Sequence, residues 1–404
     1  MHHKMVAAVT SPLQQLRAAA MSDPKLQREL MSAWDPELFA SVALHYAEAH
    51  HIALKREDLQ SRPDPVGAER FVPRAADGAI WPPPGWLPIG LSTSVNGMAV
   101  DWHCFEGLET GTPFFFEAMQ RARNCPFNRL FAWRMRLEDM LRNAPPTPQP
   151  AGFIFHLSRC GSTLVHRMID ASGVARSLSE VPLFEQALQL CLTVEATEDV
   201  QHRMLHAIVA GLNNFADDKP LILKLDSWHI QFWPLLHAAF PNTPAIFLYR
   251  DPAEVLVSQK RMRGVQAVPQ PGIATLCGIA NYSTLNLDEY CAHFLAASCR
   301  AAADAARAHA VRVINFNRLP RAVFGEVLPH FGLAVSDAAG ARMREVARYH
   351  SKSPDEHYVS DSEEKSGAAG KALHALAERI VGPSYRVLEE MAFQDDLSPS
   401  IVPA

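Results

Sequence analysis

Two short segments of the sequence carry residue types that can hold an anion. The first, residues 158–163, reads SRCGST and follows an apolar run. Its glycine lets the backbone approach a ligand closely, and the helix that it opens presents unpaired N–H groups. Ser162 and Thr163 add hydroxyl donors and Arg159 adds positive charge, so the segment predicts an anion-binding loop, although small polar residues also cap helices for structural reasons. It lacks the lysine of GxxxxGK[ST], which disfavours an ordinary ATPase or GTPase.

The second segment, residues 249–258, reads YRDPAEVLVS. Asp251 is a favourable N-cap and Pro252 a favourable first helical residue, so a strand must end near Arg250 and a helix must begin at once. Arg250 would then project from the tip of the strand, and Ser258 would lie about two turns along the helix. Two groups placed in this way could hold a phosphate together.

Four short apolar runs indicate the elements that position these segments. Each run leads into a helical pattern; the runs are residues 152–157, 221–225, 245–249 and 311–316. Continuous apolar strands separated by helices are typical of a parallel sheet that is covered on both faces. The sequence therefore predicts a three-layer αβα domain from about residue 151 to 350. Ligands of such sheets bind outside the carboxyl ends of the strands, where both segments lie.

The two segments together resemble the sulfotransferase family that uses 3′-phosphoadenosine 5′-phosphosulfate (PAPS). The resemblance extends through the strand with Lys224 and through VINFNRL at 313–319. It implies a fold like that of the P-loop NTPases, with PAPS as co-substrate and no metal. It also implies that the phosphosulfate is bound by Arg159, Cys160, Gly161, Ser162 and Thr163, and the 3′-phosphate by Arg250 and Ser258.

The same resemblance implies which residues catalyse the transfer. Sulfuryl transfer needs a cation near the bridging oxygen, and Lys224 fits that role with help from Arg159, unless Lys224 only extends along its strand end. A base must also take the acceptor proton. Glu180, in SEVP, lies where related sulfotransferases carry a catalytic glutamate and is the preferred base.

Two further residues compete with Glu180 for the role of the base. Asp226 follows Lys224 by two positions, although Asp226-Ser227 is also a good N-cap for a helix over residues 228–240. His229 is a third candidate, further into that helix.

Several features depart from the family pattern. Leu164 stands where a tryptophan would stack on adenine, and no RxGxxGxxK segment is present. In its place RYHSKSP at 348–354 makes Lys352 a candidate nucleotide ligand, with a solvated helix end as the alternative. Cys160 stands where serine is frequent; the helix N-terminus and Arg159 would favour its thiolate, so a reactive cysteine is a further hypothesis. Residues 259–282 form either a substrate lid or a long surface loop.

Composition excludes several other classes of protein. The 38 Lys and Arg residues against 43 Asp and Glu give a net charge of −5, which argues against a basic nucleic-acid-binding surface. A hydrophobic share of 48% is globular. The seven cysteines form no CxxC pair and the 18 histidines no HExxH motif, so no metal is expected. No run approaches the about 18 apolar residues of a membrane span, and no secretory signal begins the sequence, so we expect a cytoplasmic protein.

The rest of the chain divides by composition. Residues 11–60 predict a helical unit, with helix starts at Asp23-Pro24 and Asp35-Pro36. Through DPKLQREL and LKREDL this unit resembles a Nif11-type leader domain, and it is either a docking module for a protein partner or a helical cap. Residues 61–150 predict a proline-rich connector followed by an aromatic and basic helical hairpin, which we prefer to a nucleic-acid-binding stretch. Residues 351–404 predict a C-terminal extension with a helix.

These observations predict an enzyme that transfers a sulfuryl group from PAPS to a hydroxyl or amine of a small-molecule or peptide acceptor, by in-line displacement. Two alternatives stay open. One is a phosphotransferase that uses ATP and magnesium, and the other is a degenerate nucleotide-binding module without transferase activity.

Overall fold

A computed structural model of the chain describes residues 11–59, 78–95, 97–193, 196–308, 311–350, 353–357 and 370–397. They form two compact units. The first comprises the described parts of Met1–Thr110, Phe116–Thr147 and Pro182–Asp218, and the second those of Gly111–Phe115, Pro148–Val181 and Lys219–Ala404. Lys352, a predicted nucleotide ligand, lies outside the described residues.

The α-helices are numbered in chain order: α1 (Pro12–Ser22), α2 (Pro24–Ser32), α3 (Pro36–Ala49), α4 (Phe115–Asn124), α5 (Pro126–Phe131), α6 (Leu137–Asn143), α7 (Ser162–Ser172), α8 (Pro182–Thr193), α9 (Glu198–Leu212), α10 (Trp233–Ala239), α11 (Pro252–Arg261), α12 (Pro271–Leu276), α13 (Leu287–Arg307), α14 (Leu328–His330), α15 (Asp337–Val346), α16 (Lys371–Ile380) and α17 (Gly382–Leu397).

The strands are β1 (Trp86–Ser94), β2 (Gly97–Cys104), β3 (Trp133–Arg136), β4 (Gly152–His156), β5 (Arg176–Ser179), β6 (Leu221–Lys224), β7 (Ala245–Tyr249), β8 (Val311–Asn315), β9 (Tyr349–His350) and β10 (Ser353–His357). None of the helices among the described residues is both long enough and apolar enough to cross a membrane.

The first unit begins with three helices, and capping residues predict the starts of the second and the third. Asp23 accepts the N–H of Lys25 at 2.8 Å, and Asp35 accepts the N–H of Leu38 at 2.9 Å, so α2 and α3 begin at the prolines that follow. These side chains satisfy N–H groups that have no partner within the helix. The predicted helix starts at both positions are confirmed.

The first unit also contains a three-stranded antiparallel sheet, in the order β1-β2-β3, where we expected a connector and a helical hairpin. The register of β1 shifts next to Pro88, and such a bulge accommodates a proline on an edge strand. Across β2 and β3 a largely buried Arg134 donates from Nε to Asp101 Oδ1 at 2.6 Å. The expectation was wrong here because the proline content conceals β1 and because basic residues of β3 pair inside the sheet.

The second unit is built on a five-stranded parallel sheet in the order β5-β6-β4-β7-β8. The strands β4, β6 and β7 are buried along their whole lengths, as expected for a sheet covered on both faces. The helix α7 packs on β4 and β5, and α13 and α17 pack on β8. The predicted three-layer α/β fold is confirmed, with β5 as a strand that the sequence did not reveal.

The order of the strands places both predicted anion-binding segments at one point. The connection after β4 leads to β5 on one side of the sheet, and the connection after β7 leads to β8 on the other. Because β4 and β7 are neighbours, a crevice opens between their carboxyl ends, which is where ligands of such sheets bind. The 158–163 loop follows β4, and Arg250 follows β7.

Two local predictions need correction. The helix expected over residues 228–240 consists of a 3₁₀ turn, His229–Phe232, followed by α10, because Pro234 can stand only in a first helical turn. Residues 259–282 are not a long loop, since they include the end of α11, the helix α12 and two 3₁₀ turns. The C-terminal extension contains two helices, α16 and α17.

Candidate active site

The loop between β4 and α7 has an unusual backbone conformation. Ser158, Arg159 and Gly161 have positive φ angles of 67°, 52° and 81°. A side chain at Gly161 would place its Cβ 2.7 Å from a methyl group of Leu319 and 3.0 Å from the ring of Phe316. Only glycine fits this position, both because of its φ angle and because of the space. The loop therefore has the tight turn that an anion-binding loop needs.

The N-terminus of α7 differs from that of α11, which follows the neighbouring strand. In α11 the Asp251 side chain accepts the N–H groups of Ala253 at 2.9 Å and Glu254 at 3.1 Å. In α7 the N-cap is Gly161, and no side chain of the described residues caps the helix. Of these two helix ends, the one that remains available for an anion is therefore the one behind the predicted loop.

Arg250 extends from the end of β7 back towards this loop. Its buried guanidinium donates from Nε to Glu254 Oε2 at 2.6 Å and from Nη1 to the carbonyl oxygen of Arg159 at 3.4 Å. It also stacks on the ring of Phe316 at 4.1 Å. Ser258 lies one turn beyond Glu254 on α11 and is half-buried. The ion pair with Glu254 was not predicted, although its spacing of four residues on a helix is a signal that could have found it.

Arg159 is half-buried and is held by a backbone oxygen. Its Nη2 donates to the carbonyl oxygen of Met262 at 2.6 Å, just after the end of α11. Burial lowers the pKa of Arg159, while the charge of Glu180 raises it. Arg159 thus lies within the electrostatic range of the predicted base.

Glu180 and Lys224 meet because β5 and β6 are neighbours. Ser179 pairs with Lys224 in the sheet, and the N–H of Glu180 donates to the carbonyl oxygen of Lys224 at 2.7 Å. The fully buried ammonium of Lys224 donates to Glu180 Oε1. Burial alone would raise the pKa of Glu180, but the charge of Lys224 and the nearby His156 outweigh it and hold the pKa well below its ordinary value. Glu180 itself has a φ angle of 52°.

His156 is a member of this cluster that the sequence did not reveal. It is the last residue of β4 and is buried, and its Nε2 lies 3.5 Å from Glu180 Oε1. Its Nδ1 accepts the N–H of Ser158 at 3.0 Å. The only sequence signal is its place at the strand end, two residues before the loop.

The competing base candidates form a different contact. The N–H of Asp226 donates to His229 Nδ1 at 3.2 Å, and His229 Nε2 lies 3.8 Å from Asp226 Oδ2. His229 is buried and Asp226 is half-buried. Asp226 therefore contacts His229, whereas Glu180 contacts the lysine.

Cys160 does not have the environment of a reactive thiol. It is completely buried, and its Sγ lies 3.1 Å from the carbonyl oxygen of Leu248. Burial raises the pKa of the Cys160 thiol to about 11, although the charges of Lys224 and Arg250 oppose that rise. The hypothesis of a reactive thiolate is wrong, because the helix N-terminus and nearby charges do not compensate for burial.

Residues 150–337 match the sequence model of a family described as "Sulfotransferase family". Because of this match we refer to the segment as the sulfotransferase-family domain. It spans slightly less than half of the 404 residues. No curated protein matches the chain.

Among solved structures the similarities are distant. Sulfotransferase STF9 from Mycobacterium avium is 13% identical with a TM-score of 0.37, covering 59% of this chain and 79% of that chain. A sulfotransferase domain from the curacin biosynthetic pathway is 14% identical with a TM-score of 0.38, covering 61% and 99%. A sulfotransferase from Alicyclobacillus acidocaldarius is 13% identical with a TM-score of 0.33, covering 58% and 97%. At these low scores the family assignment rests on the sequence match.

Two glutamines of the sulfotransferase-family domain hold the anion-binding loop through hydrogen bonds to Ser158. Ser158 Oγ accepts from Gln259 Nε2 at 3.0 Å and from Gln266 Nε2 at 2.9 Å, and all three residues are buried. Gln259 Oε1 accepts the N–H of Gly264 at 2.8 Å. These contacts join residues more than 100 positions apart in sequence, so no local pattern could have predicted them.

Proposed function

We propose that the sulfotransferase-family domain transfers a sulfuryl group from PAPS to a hydroxyl or amine of a small-molecule or peptide acceptor. The observation that carries this proposal is the buried Lys224–Glu180 pair, which His156 connects to the anion-binding loop. Such a pair supplies both groups that the reaction needs, a cation for the leaving oxygen and a base for the acceptor proton.

The residues at the crevice between the carboxyl ends of β4 and β7 are complementary to the two anionic ends of PAPS. The open N-terminus of α7, with Arg159 beside it, is complementary to the phosphosulfate. Arg250 is complementary to the 3′-phosphate, for which it would exchange its contact with Glu254. Ser258 lies one turn further along α11 and adds a hydroxyl donor on that side.

The chemistry then divides between two side chains. Lys224 donates to the bridging oxygen of the phosphosulfate and neutralises the charge that develops there as the sulfur–oxygen bond breaks. Glu180 takes the proton of the acceptor as the acceptor oxygen or nitrogen forms its bond to sulfur. The bond electrons leave with 3′-phosphoadenosine 5′-phosphate (PAP). When Lys224 turns to the substrate, Glu180 loses the cation that holds its pKa low and becomes a stronger base.

The affinity for a nucleotide should depend on whether the nucleotide carries a 3′-phosphate. We expect saturating PAP to stabilise the protein by about 2.7 kcal/mol at a concentration of 100 times Kd, and ATP to stabilise it much less. Arg250→Gln should remove most of the PAP-induced rise in Tm. Arg307→Gln, at an exposed arginine paired with Asp304, is the matched control and should keep that rise. Differential scanning fluorimetry measures the shift in Tm of the parent with PAP and with ATP, and of each variant with PAP. Equal shifts of the parent with PAP and ATP would contradict the proposal.

Turnover itself is tested by mass spectrometry. The full chain is incubated with PAPS and pools of alcohols, phenols, amines and peptides, and we expect one acceptor class to gain the mass of a sulfonate while PAP appears in equal amount. Glu180→Gln is the control for uncatalysed transfer. Binding of PAP without any product would favour a nucleotide-binding module, and a phosphoryl increment with ATP and magnesium would favour a phosphotransferase.

A further inference from the structure

The hydrogen bonds of His156 fix which of its ring nitrogens carries the proton. Nδ1 lies 3.0 Å from the backbone nitrogen of Ser158, and a backbone N–H can only donate. Nδ1 must therefore be unprotonated, so the neutral ring carries its hydrogen on Nε2. That nitrogen faces Glu180 Oε1 at 3.5 Å. His156 is thus oriented as a donor to the carboxylate.

Lys224 and His156 both approach the same oxygen of Glu180. Lys224 Nζ and His156 Nε2 each face Oε1, so among the described contacts Oε2 is the oxygen left for an acceptor proton. The side chain of Glu180 is 22% exposed, whereas those of Lys224 and His156 are 0% and 6% exposed. The carboxylate of Glu180 is therefore the most exposed of the three groups.

We propose that His156 is a positioning residue for Glu180, holding Oε1 through Nε2–H when Lys224 turns to the substrate. This inference rests on the proposed function. Without a donor on Oε1, a carboxylate that has lost its lysine would be protonated more readily and would no longer be fixed in direction. His156 keeps it ionised and keeps Oε2 towards the acceptor.

The anion-binding loop controls the tautomer of His156. Ser158 supplies the N–H that occupies Nδ1, and its hydroxyl is held by Gln259 and Gln266. A change in the loop conformation would therefore release Nδ1 and with it the direction of Nε2–H. The same loop that fits the phosphosulfate thus sets the orientation of the base through one imidazole ring.

Four ionisable groups of this unit interact electrostatically with Glu180. They are Lys224 from β6, His156 from β4, Arg159 from the loop and His166 from α7. His166 is buried between Ser177 Oγ at 2.7 Å and the carbonyl oxygen of Thr112 at 2.8 Å, and burial lowers its pKa to about 3. It stays neutral over the range in which the enzyme would be assayed.

The test compares three substitutions of His156 that keep different parts of the ring. Glutamine keeps a donor at the place of Nε2, asparagine keeps an acceptor at the place of Nδ1, and leucine keeps neither. We expect Asn and Leu to lower kcat by about 10- to 100-fold, as loss of an orienting partner commonly does, with KM for PAPS little changed. Glutamine should restore most of kcat.

The pH profile separates positioning from packing. Because a hydrogen bond to a carboxylate lowers its pKa, His156→Leu and His156→Asn should move the acidic limb of kcat to higher pH, and His156→Gln should not. The proposal would be overturned if the acidic limb of kcat in His156→Leu stayed at the pH of the parent. It would also be overturned if His156→Gln lowered kcat as much as His156→Leu.

A measurement without turnover distinguishes this failure from failure of the proposed function. In a Lys224→Met background, NMR of the labelled Glu180 carboxyl reports its pKa with and without His156→Leu. We expect a higher pKa when His156 is replaced, whether or not the parent protein transfers a sulfuryl group. The same pKa in both variants would overturn the positioning role, and absence of transfer by the parent protein with every acceptor would overturn the proposed function alone.

Discussion

We expect Glu180→Gln to remove turnover and to leave nucleotide binding intact. Glutamine has the shape of glutamate and still offers Lys224 and His156 an oxygen at the position of Oε1, but it cannot take a proton. Loss of a general base costs about 10²- to 10⁴-fold in rate, so we expect kcat to fall by that factor. The rise in Tm with PAP should be retained, because the groups proposed to bind PAP are unchanged.

Asp226→Asn is the matched control for this experiment. It makes the same chemical change at the competing carboxylate, which contacts His229 rather than Lys224. We expect kcat to stay within about threefold of the parent, because Asp226 contacts His229 and not the lysine of the proposed reaction. If Asp226→Asn lost turnover and Glu180→Gln kept it, the roles of the two carboxylates would be reversed.

The low pKa of Glu180 must be reconciled with its proposed role as a base, and its contact with Lys224 explains how. A carboxylate whose pKa lies far below its usual value is a weak base, and in the structure Glu180 is such a carboxylate. The low pKa is caused mainly by the lysine, and the proposed reaction draws that lysine to the substrate. Glu180 is therefore kept ionised before the substrate binds and gains basicity when it does.

The parts of this site that the sequence predicts are those set by short-range chemistry. Gly161 before a helix with hydroxyl residues predicts the loop, and Asp251-Pro252 predicts where α11 begins; the helix starts at that point. The four apolar strands can also be predicted from the sequence, because burial on both faces requires continuous apolar runs. Cys160 shows the limit of such local inference, since its burial decides its pKa and is a property of the fold.

The parts that could not be predicted depend on strand pairing. The strand β5 reads RSLS, which is short and polar, and without it nothing brings Glu180 beside Lys224, 44 positions away. His156 enters the cluster only because β4 is next to β6, and the glutamines reach Ser158 across more than 100 residues. Residue types can nominate these side chains, but the order of strands in the sheet decides which of them meet.

Breaking the Lys224–Glu180 pair from the lysine side should cost more stability than any substitution at an exposed ion pair. Lys224→Met leaves the carboxylate of Glu180 in its largely buried site without its cation, and loss of one partner of a buried pair destabilises by about 3–5 kcal/mol. Arg307→Met, which breaks the exposed pair with Asp304, should cost less than about 1 kcal/mol. Denaturant unfolding at neutral pH measures both free energies.

The double variant Lys224→Met/Glu180→Gln distinguishes an unpaired charge from lost packing. If the cost of Lys224→Met is the stranded carboxylate, replacing that carboxylate should recover most of the lost free energy, and the double variant should be more stable than Lys224→Met alone. If the cost is the packing of the lysine stem, the second substitution should recover nothing. The recovered protein would still lack turnover, because it would have neither the cation nor the base.

The pH dependence of the unfolding free energy is a second, independent test of the Lys224–Glu180 pair. The folded-state pKa of Glu180 lies below its unfolded value of 4.5, so the pair contributes its full stability above that value and loses it as the pH falls towards the folded pKa. In Lys224→Met burial raises the pKa instead, so acid protonates Glu180 and relieves the stranded charge. The difference in unfolding free energy between parent and variant should therefore shrink between neutral pH and about pH 4. A difference that is constant over this range would mean that Lys224 stabilises the fold through packing and not through the carboxylate it contacts.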